Sequence, residues 1–154
     1  MTKKRVKKYR PKPVLVDPIK YALMSCRTMS SFKDGLNTLK IRHYAAWQKL
    51  ADGKADLNDV NLIVQTLNNC QAFHQMGFGA DCYDIVKSAQ KAVAGVARRG
   101  KDALVFTPTN EEIEAIRLGI ELHEAQLDVA TVKDFERAEA IVKETIRNKR
   151  ADEI

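Results

Sequence analysis

Three histidines, His43, His74 and His123, are the residues of this chain best suited to chemistry. Each falls on or beside the apolar stripe of a different predicted helix, so a bundle could bring them together as a three-His metal site. The set lacks the Glu-x-x-His spacing that bundle metal sites use. The spacing therefore favours three histidines at the core edge, each with one hydrogen bond, and no metal or cofactor is expected. Cys70 and His74 stand one helical turn apart, where a thiol–imidazole pair could form. No orienting motif accompanies them, which favours a buried cysteine over a nucleophile. Gly77-Phe78-Gly79 resembles half of a phosphate loop, but it follows a helix and lacks both a third glycine and a Lys-Ser/Thr pair. A helix-terminating turn is the simpler reading. Glu111, Glu112 and Glu114 crowd a helix start, where the helix dipole accounts for them. Glu121 and Glu124 flank His123 but should project to solvent. With no Ser-His-Asp, Walker or nucleotidyl-transfer pattern, the chain reads as a non-enzyme.

The elements that would position these groups are helices. A short segment near Ile19–Met29 follows Pro18. Leu36, Leu39, His43, Ala46, Trp47 and Leu50 then recur at steps of three and four, with Ser30 and Ser31 as the cap and Asp52-Gly53 as the end. Trp47 and Tyr44 read as core residues rather than as a ligand platform. Asp56 caps a third segment striped by Val60, Ile63, Leu67, Cys70 and His74. A fourth, about Ala80 to Arg99, puts Cys82, Ile85, Ala89, Val93 and Val96 on one face, and its many small residues permit close helix approach. Gly100 reads as its C′ residue. Asp102–Thr107 reads as a short extended piece. Thr109 and Glu112 suit a capping box for a fifth helix with Ile113, Ile116, Ile120, His123 and Leu127. Thr131 caps a last one with Val132, Phe135, Ala138, Ile141, Val142 and Ile146 inside. Short connections and the absence of a long period-2 stretch predict an all-α, up-and-down bundle of four to five helices with an extended basic N-terminal arm. Residues 1–17 form the arm and 18–154 the bundle domain.

The charge belongs to that arm. Seven of the 26 Lys and Arg lie in the first twelve residues, leaving 19 bases against all 20 acids in the remainder. Lys3, Lys4, Arg5, Lys7, Lys8, Arg10 and Lys12 come with Tyr9, Pro11 and no acid. Such a segment cannot bury enough apolar surface to offset its ordering entropy, and its prolines exclude an early helix. Its cations suit phosphates, Arg5 and Arg10 suit a minor groove, and Tyr9 suits an exposed base. The nucleic acid could be DNA or RNA. An acidic host protein is the competing partner, and a passive solubilising tail is the third reading. Arg98-Arg99-Lys101 and Arg147-Lys149-Arg150 could extend the footprint. The basic start runs into Arg10-Pro11-Lys12-Pro13 and not into an apolar region, so no signal peptide is expected, and no membrane partner. Three scattered cysteines, Cys26, Cys70 and Cys82, read as buried thiols of a reducing cytoplasm. The small-residue helix permits a homodimer.

Lys7-Lys8-Tyr9-Arg10-Pro11-Lys12-Pro13-Val14, Met76-Gly77-Phe78-Gly79 and Leu122-His123-Glu124-Ala125-Gln126-Leu127 together resemble a family of small helical proteins of proteobacterial phages and prophages. The resemblance spans most of the chain. It implies a phage accessory role in a bacterial host cell, without an assigned biochemical activity and without catalytic residues. Some such proteins are labelled Fis-type regulators. That label does not carry over, because Val132–Arg150 is not preceded by the short turn and partner helix a helix-turn-helix needs. The sequence thus leads to a non-enzymatic accessory protein binding nucleic acid through its arm, or else to an effector that docks on and redirects a host defence complex or polymerase.

Overall fold

The structure is a computed structural model and describes residues 17–148. Residues 1–16 of the expected arm lie outside them, and Asp17 belongs to the bundle as the cap of α1. Among the described residues the fold is all-helical: α1 (Pro18–Ser25), α2 (Lys33–Ala51), α3 (Leu57–Gln75), α4 (Tyr83–Gly100), α5 (Asn110–Val129) and α6 (Val132–Arg147), with 3-10 turns at Met29–Ser31 and Ala80–Cys82. There are thus six helices and not four to five. The additional one is the eight-residue α1, started by Pro18 and capped by Asp17, whose carboxylate accepts from the Ile19 amide at 3.0 Å.

Local hydrogen-bond chemistry sets the boundaries. Asp56/Asp59, Thr109/Glu112 and Thr131/Asp134 form three capping boxes, each satisfying two backbone donors that a helix start leaves free. At the end of α3, Gly77 takes φ 97°, which suits a residue without a Cβ. Its amide donates to the His74 carbonyl and the Phe78 amide to that of Phe73, a Schellman turn closed by an edge-to-face Phe73–Phe78 contact at 5.3 Å. Gly53 ends α2 in the same way. Ser30 and Ser31 do not cap α2. Their hydroxyls turn back onto Thr28 within the 3-10 turn, and Phe32 occupies the cap position without a side-chain bond.

α3 is the central helix, packed against α2, α4, α5 and α6. Two apolar clusters form the core. One joins Leu50, Ile63, Leu67, Val93, Val96, Phe106, Ile116 and Ile120 with their neighbours, and the other joins Leu36, Phe73, Leu127, Ala130 and Ala138. Full burial of each large aliphatic chain contributes about 1.5–3 kcal/mol. A polar layer separates the clusters: His43 of α2, Thr66 and Cys70 of α3, and His123 and Gln126 of α5 are all buried. A backbone clip closes the far end, where the Met29 amide donates to Ala130 and the Val132 amide to Arg27. Tyr21 Oη donates to Glu136 Oε2 at 2.5 Å, so α1 is held against α6.

Candidate functional site

The predicted contact residues Lys3, Lys4, Arg5, Lys7, Lys8, Tyr9, Arg10 and Lys12 lie outside the described residues, as do Lys149 and Arg150. The described residues carry 17 bases against 18 acids. Five of those 17 cations are in ion pairs, the fifth being Lys143 with Glu139. Lys40 meets Asp128 at 2.7 Å and Lys49 meets Asp59 at 2.9 Å. Arg99 forks onto Glu112 at 2.5 and 2.9 Å and holds that carboxyl below its usual range. Arg117 sits between Glu114 and Glu121. The cluster Arg98-Arg99-Lys101 is therefore not one patch. Arg99 belongs to the start of α5, while Arg98 faces elsewhere.

Arg98 lines an open groove of about 690 Å³. Its floor is α3, and α4 and α6 form its walls. Val64, Leu67, Val93, Ile141, Val142 and Ile146 supply apolar surface. Asn68, Gln71, Gln75 and Gln90 supply amides. Gln90 Nε2 donates to Gln71 Oε1 at 2.7 Å and to Asn68 Oδ1 at 3.3 Å, so a cross-helix network fixes the floor. Lys87, Lys91 and Arg98 supply charge from the α4 wall. Among the described residues none of the three is in an ion pair and no carboxylate lines the groove. The row was not singled out from the sequence, although its spacing of four and eleven residues along one helix was visible there.

The three histidines do not converge. His43 and His123 meet in the polar layer with ring centroids 5.8 Å apart. His74 lies apart from that pair, its Nδ1 3.0 Å from the Gly79 carbonyl and its ring against Tyr83. No group of three or more His, Cys, Asp or Glu suited to a metal ion occurs among the described residues. Gln126 Nε2 donates to the carbonyls of Cys70 and Phe78. Both amide hydrogens are thereby used, so Gln126 Oε1 accepts from His123 Nδ1 at 3.2 Å. His123 Nε2 is left as a bare lone pair. It and His43 Nδ1 are buried without a partner. Burial holds both imidazoles neutral, each lowered to about 4. The Cys70 thiol is pushed up to about 12 by burial, which removes the thiolate that a Cys70–His74 nucleophile would need.

Two further expectations change. Cys26 is exposed and Cys82 half-buried, so only Cys70 is an interior thiol. Tyr44 is 56% exposed and rests on Trp47, whose Nε1 donates to the Ile113 carbonyl at 3.1 Å. Trp47 is a bolt between α2 and the first turn of α5, and Tyr44 is a surface ring. Among the described residues no helix is long and apolar enough to cross a membrane. The chain matches no known protein family, no curated protein and no solved structure.

Proposed function

We propose that this is a non-enzymatic, phage-type accessory protein of the bacterial cytoplasm that binds nucleic acid through Lys3, Lys4, Arg5, Lys7, Lys8, Tyr9, Arg10 and Lys12. One observation carries the reading. Seven bases without an acid precede a body whose described residues hold 17 bases against 18 acids, so the excess charge is concentrated where phosphates can be gathered. Contacts of this kind supply affinity more than sequence choice. The test is fluorescence anisotropy of labelled duplex DNA, single-stranded DNA and RNA across a salt series, with the intact chain and with a version lacking residues 1–13. If all seven bases meet duplex phosphates, log affinity falls against log salt with a slope approaching about −6. Removal of the segment abolishes most of both affinity and slope. Unchanged affinity and slope after the deletion would overturn the proposal.

A second reading takes the protein as an effector that docks on a host factor. The α3–α4–α6 groove supports it, because a cation row on one wall and aliphatic side chains on the other suit a docked helix. The first reading includes a homodimer, which the small residues of α4 permit without requiring it. A concentration-independent 17.3 kDa species in light scattering would end that part.

A further inference from the structure

We propose that the groove between α4 and α6 is the docking site for an acidic amphipathic helix of a partner protein. This goes beyond the arm and stands independently of it. Lys87, Lys91 and Arg98 all line the groove. At 3.6 residues per turn they fall within about 40° of one another around α4 and extend over roughly 16 Å of its length. That is a straight row, matched by carboxylates placed at the same steps on a helix lying alongside.

The floor points to the same ligand. Gln90 occupies the side-chain oxygens of Asn68 and Gln71. Their amide NH2 groups therefore remain as donors on a surface that, among the described residues, offers cations and no carboxylate. The opposite wall is different in kind. Ile141, Val142 and Ile146 of α6 present aliphatic surface, and Ile146 is 58% exposed. An occupant must carry an acidic edge toward α4 and an apolar edge toward α6, which describes an amphipathic helix. A single-stranded nucleic acid meets only the first condition. Among the described residues no aromatic side chain lines the groove, so its bases would have nothing there to stack on.

The experiment selects binders with the full-length chain as bait. The displayed library holds amphipathic helices of about 18 residues, with an apolar face of Leu and Ala and a polar face randomised among Asp, Glu, Lys, Arg, Gln and Ser. The expected peptides are acidic, with carboxylates along one edge at steps of four and seven. Their anisotropy-measured affinity falls at least about tenfold for Lys87→Glu/Lys91→Glu, since two attractions become repulsions. Replacing the matching peptide carboxylates with lysine restores binding to that variant. Circular dichroism of the variant confirms folding, which is expected because both lysines are exposed. Removing residues 1–13 leaves peptide binding in place, so the groove and the arm can fail separately. The proposal is overturned if no peptide is recovered, if recovered peptides lack the acidic bias, or if the charge-reversed variant binds them equally. It is also overturned if single-stranded DNA displaces the peptides and loses its own binding in that variant, which would make the groove a nucleic-acid surface. A tenfold affinity gain on removing residues 149–154 would identify the chain's own tail as the occupant instead.

Discussion

Gly119 is where the packing of this bundle can be tested most sharply. It is buried on α5, and a Cβ built there would stand 2.5 Å from the Ala89 Cβ and 2.7 Å from the Leu67 Cδ2. Ordinary carbon contacts lie at about 3.5–4.0 Å, so Gly119→Ala creates an overlap of about 1 Å. The Leu67 tip can turn, although it is fully buried, whereas Ala89 has no rotamer to change. α5 must therefore move off α4. A gap of that size forfeits a quarter to a half of the dispersion energy of the atoms it separates, among them Val93 and Val96 facing Ile116 and Ile120. Overpacking of this kind costs about 3 kcal/mol, offset by about 1 kcal/mol of gained helix propensity. The expected net loss is about 2 kcal/mol. In urea, read by far-UV circular dichroism, that lowers the midpoint by about 1 M at an unchanged slope of about 2 kcal/mol/M. Ala89→Gly alone also destabilises by about 2 kcal/mol, through lost propensity and a lost buried methyl. Combined with Gly119→Ala it returns the space, so the double variant should be more stable than the sum of the singles by at least about 1 kcal/mol. Equal or greater stability of Gly119→Ala, or strict additivity in the cycle, would show that α4 and α5 do not approach as described.

Further outcomes are expected elsewhere. Burial lowers His43 and His123 from 6.5 to about 4, so an unfolded chain takes up protons that the folded one refuses. Stability is therefore full above about pH 6.5 and falls as the pH drops to about 4, by up to about 3 kcal/mol for each histidine. Urea midpoints at pH 7, 5.5 and 4.5 check this, and His43→Leu should roughly halve the drop. With a thiol reagent at pH 8, Cys26 should react first, Cys82 more slowly and Cys70 only on the timescale of unfolding. Equal rates for the three would contradict the burial of Cys70. Asp56→Ala and Thr131→Ala each break a capping box and should destabilise by about 1 kcal/mol in thermal unfolding.

Features decided within four residues were legible in the sequence, except at the start of α2, where Ser30 and Ser31 bond back to Thr28 instead of capping the helix. Asp56, Thr109 and Thr131 are caps, Gly53 and Gly77 end their helices, and Val60, Ile63, Leu67 and Cys70 are buried because α3 keeps one face inward. Features decided between helices were not. Three histidines on three stripes leave open which pair shares a level, and the hydrogen bond of His74 to Gly79 takes it out of the set. The 3-10 turn at Ala80–Cys82 starts α4 later than periodicity implied, so Val86 is fully buried while Cys82 and Ile85 are only half-buried. Gly100 reads as a left-handed stop but keeps a negative φ. It is needed because a Cβ there would lie 2.4 Å from the Phe106 ring, and the left-handed residue is Leu104. The groove was illegible for the same reason. Lys87 and Lys91 look like an ordinary solvated face until α6 is seen to leave space beside them.

The two ends of the described chain share one property with a consequence for motion. α6 buries only Ala138 and α1 only Ser25, whereas α3 buries seven residues. The two thin helices are joined to each other by Tyr21 and Glu136, and to the loops at their bases by the Arg27–Val132 and Met29–Ala130 bonds. Native-state hydrogen exchange should therefore resolve two tiers, with α1 and α6 opening together well below the global unfolding free energy while α2–α5 stay protected. The α6 wall belongs to the weaker tier, so the amides of α6 should report an occupied groove by slowing their exchange, and those of α3 should hardly respond.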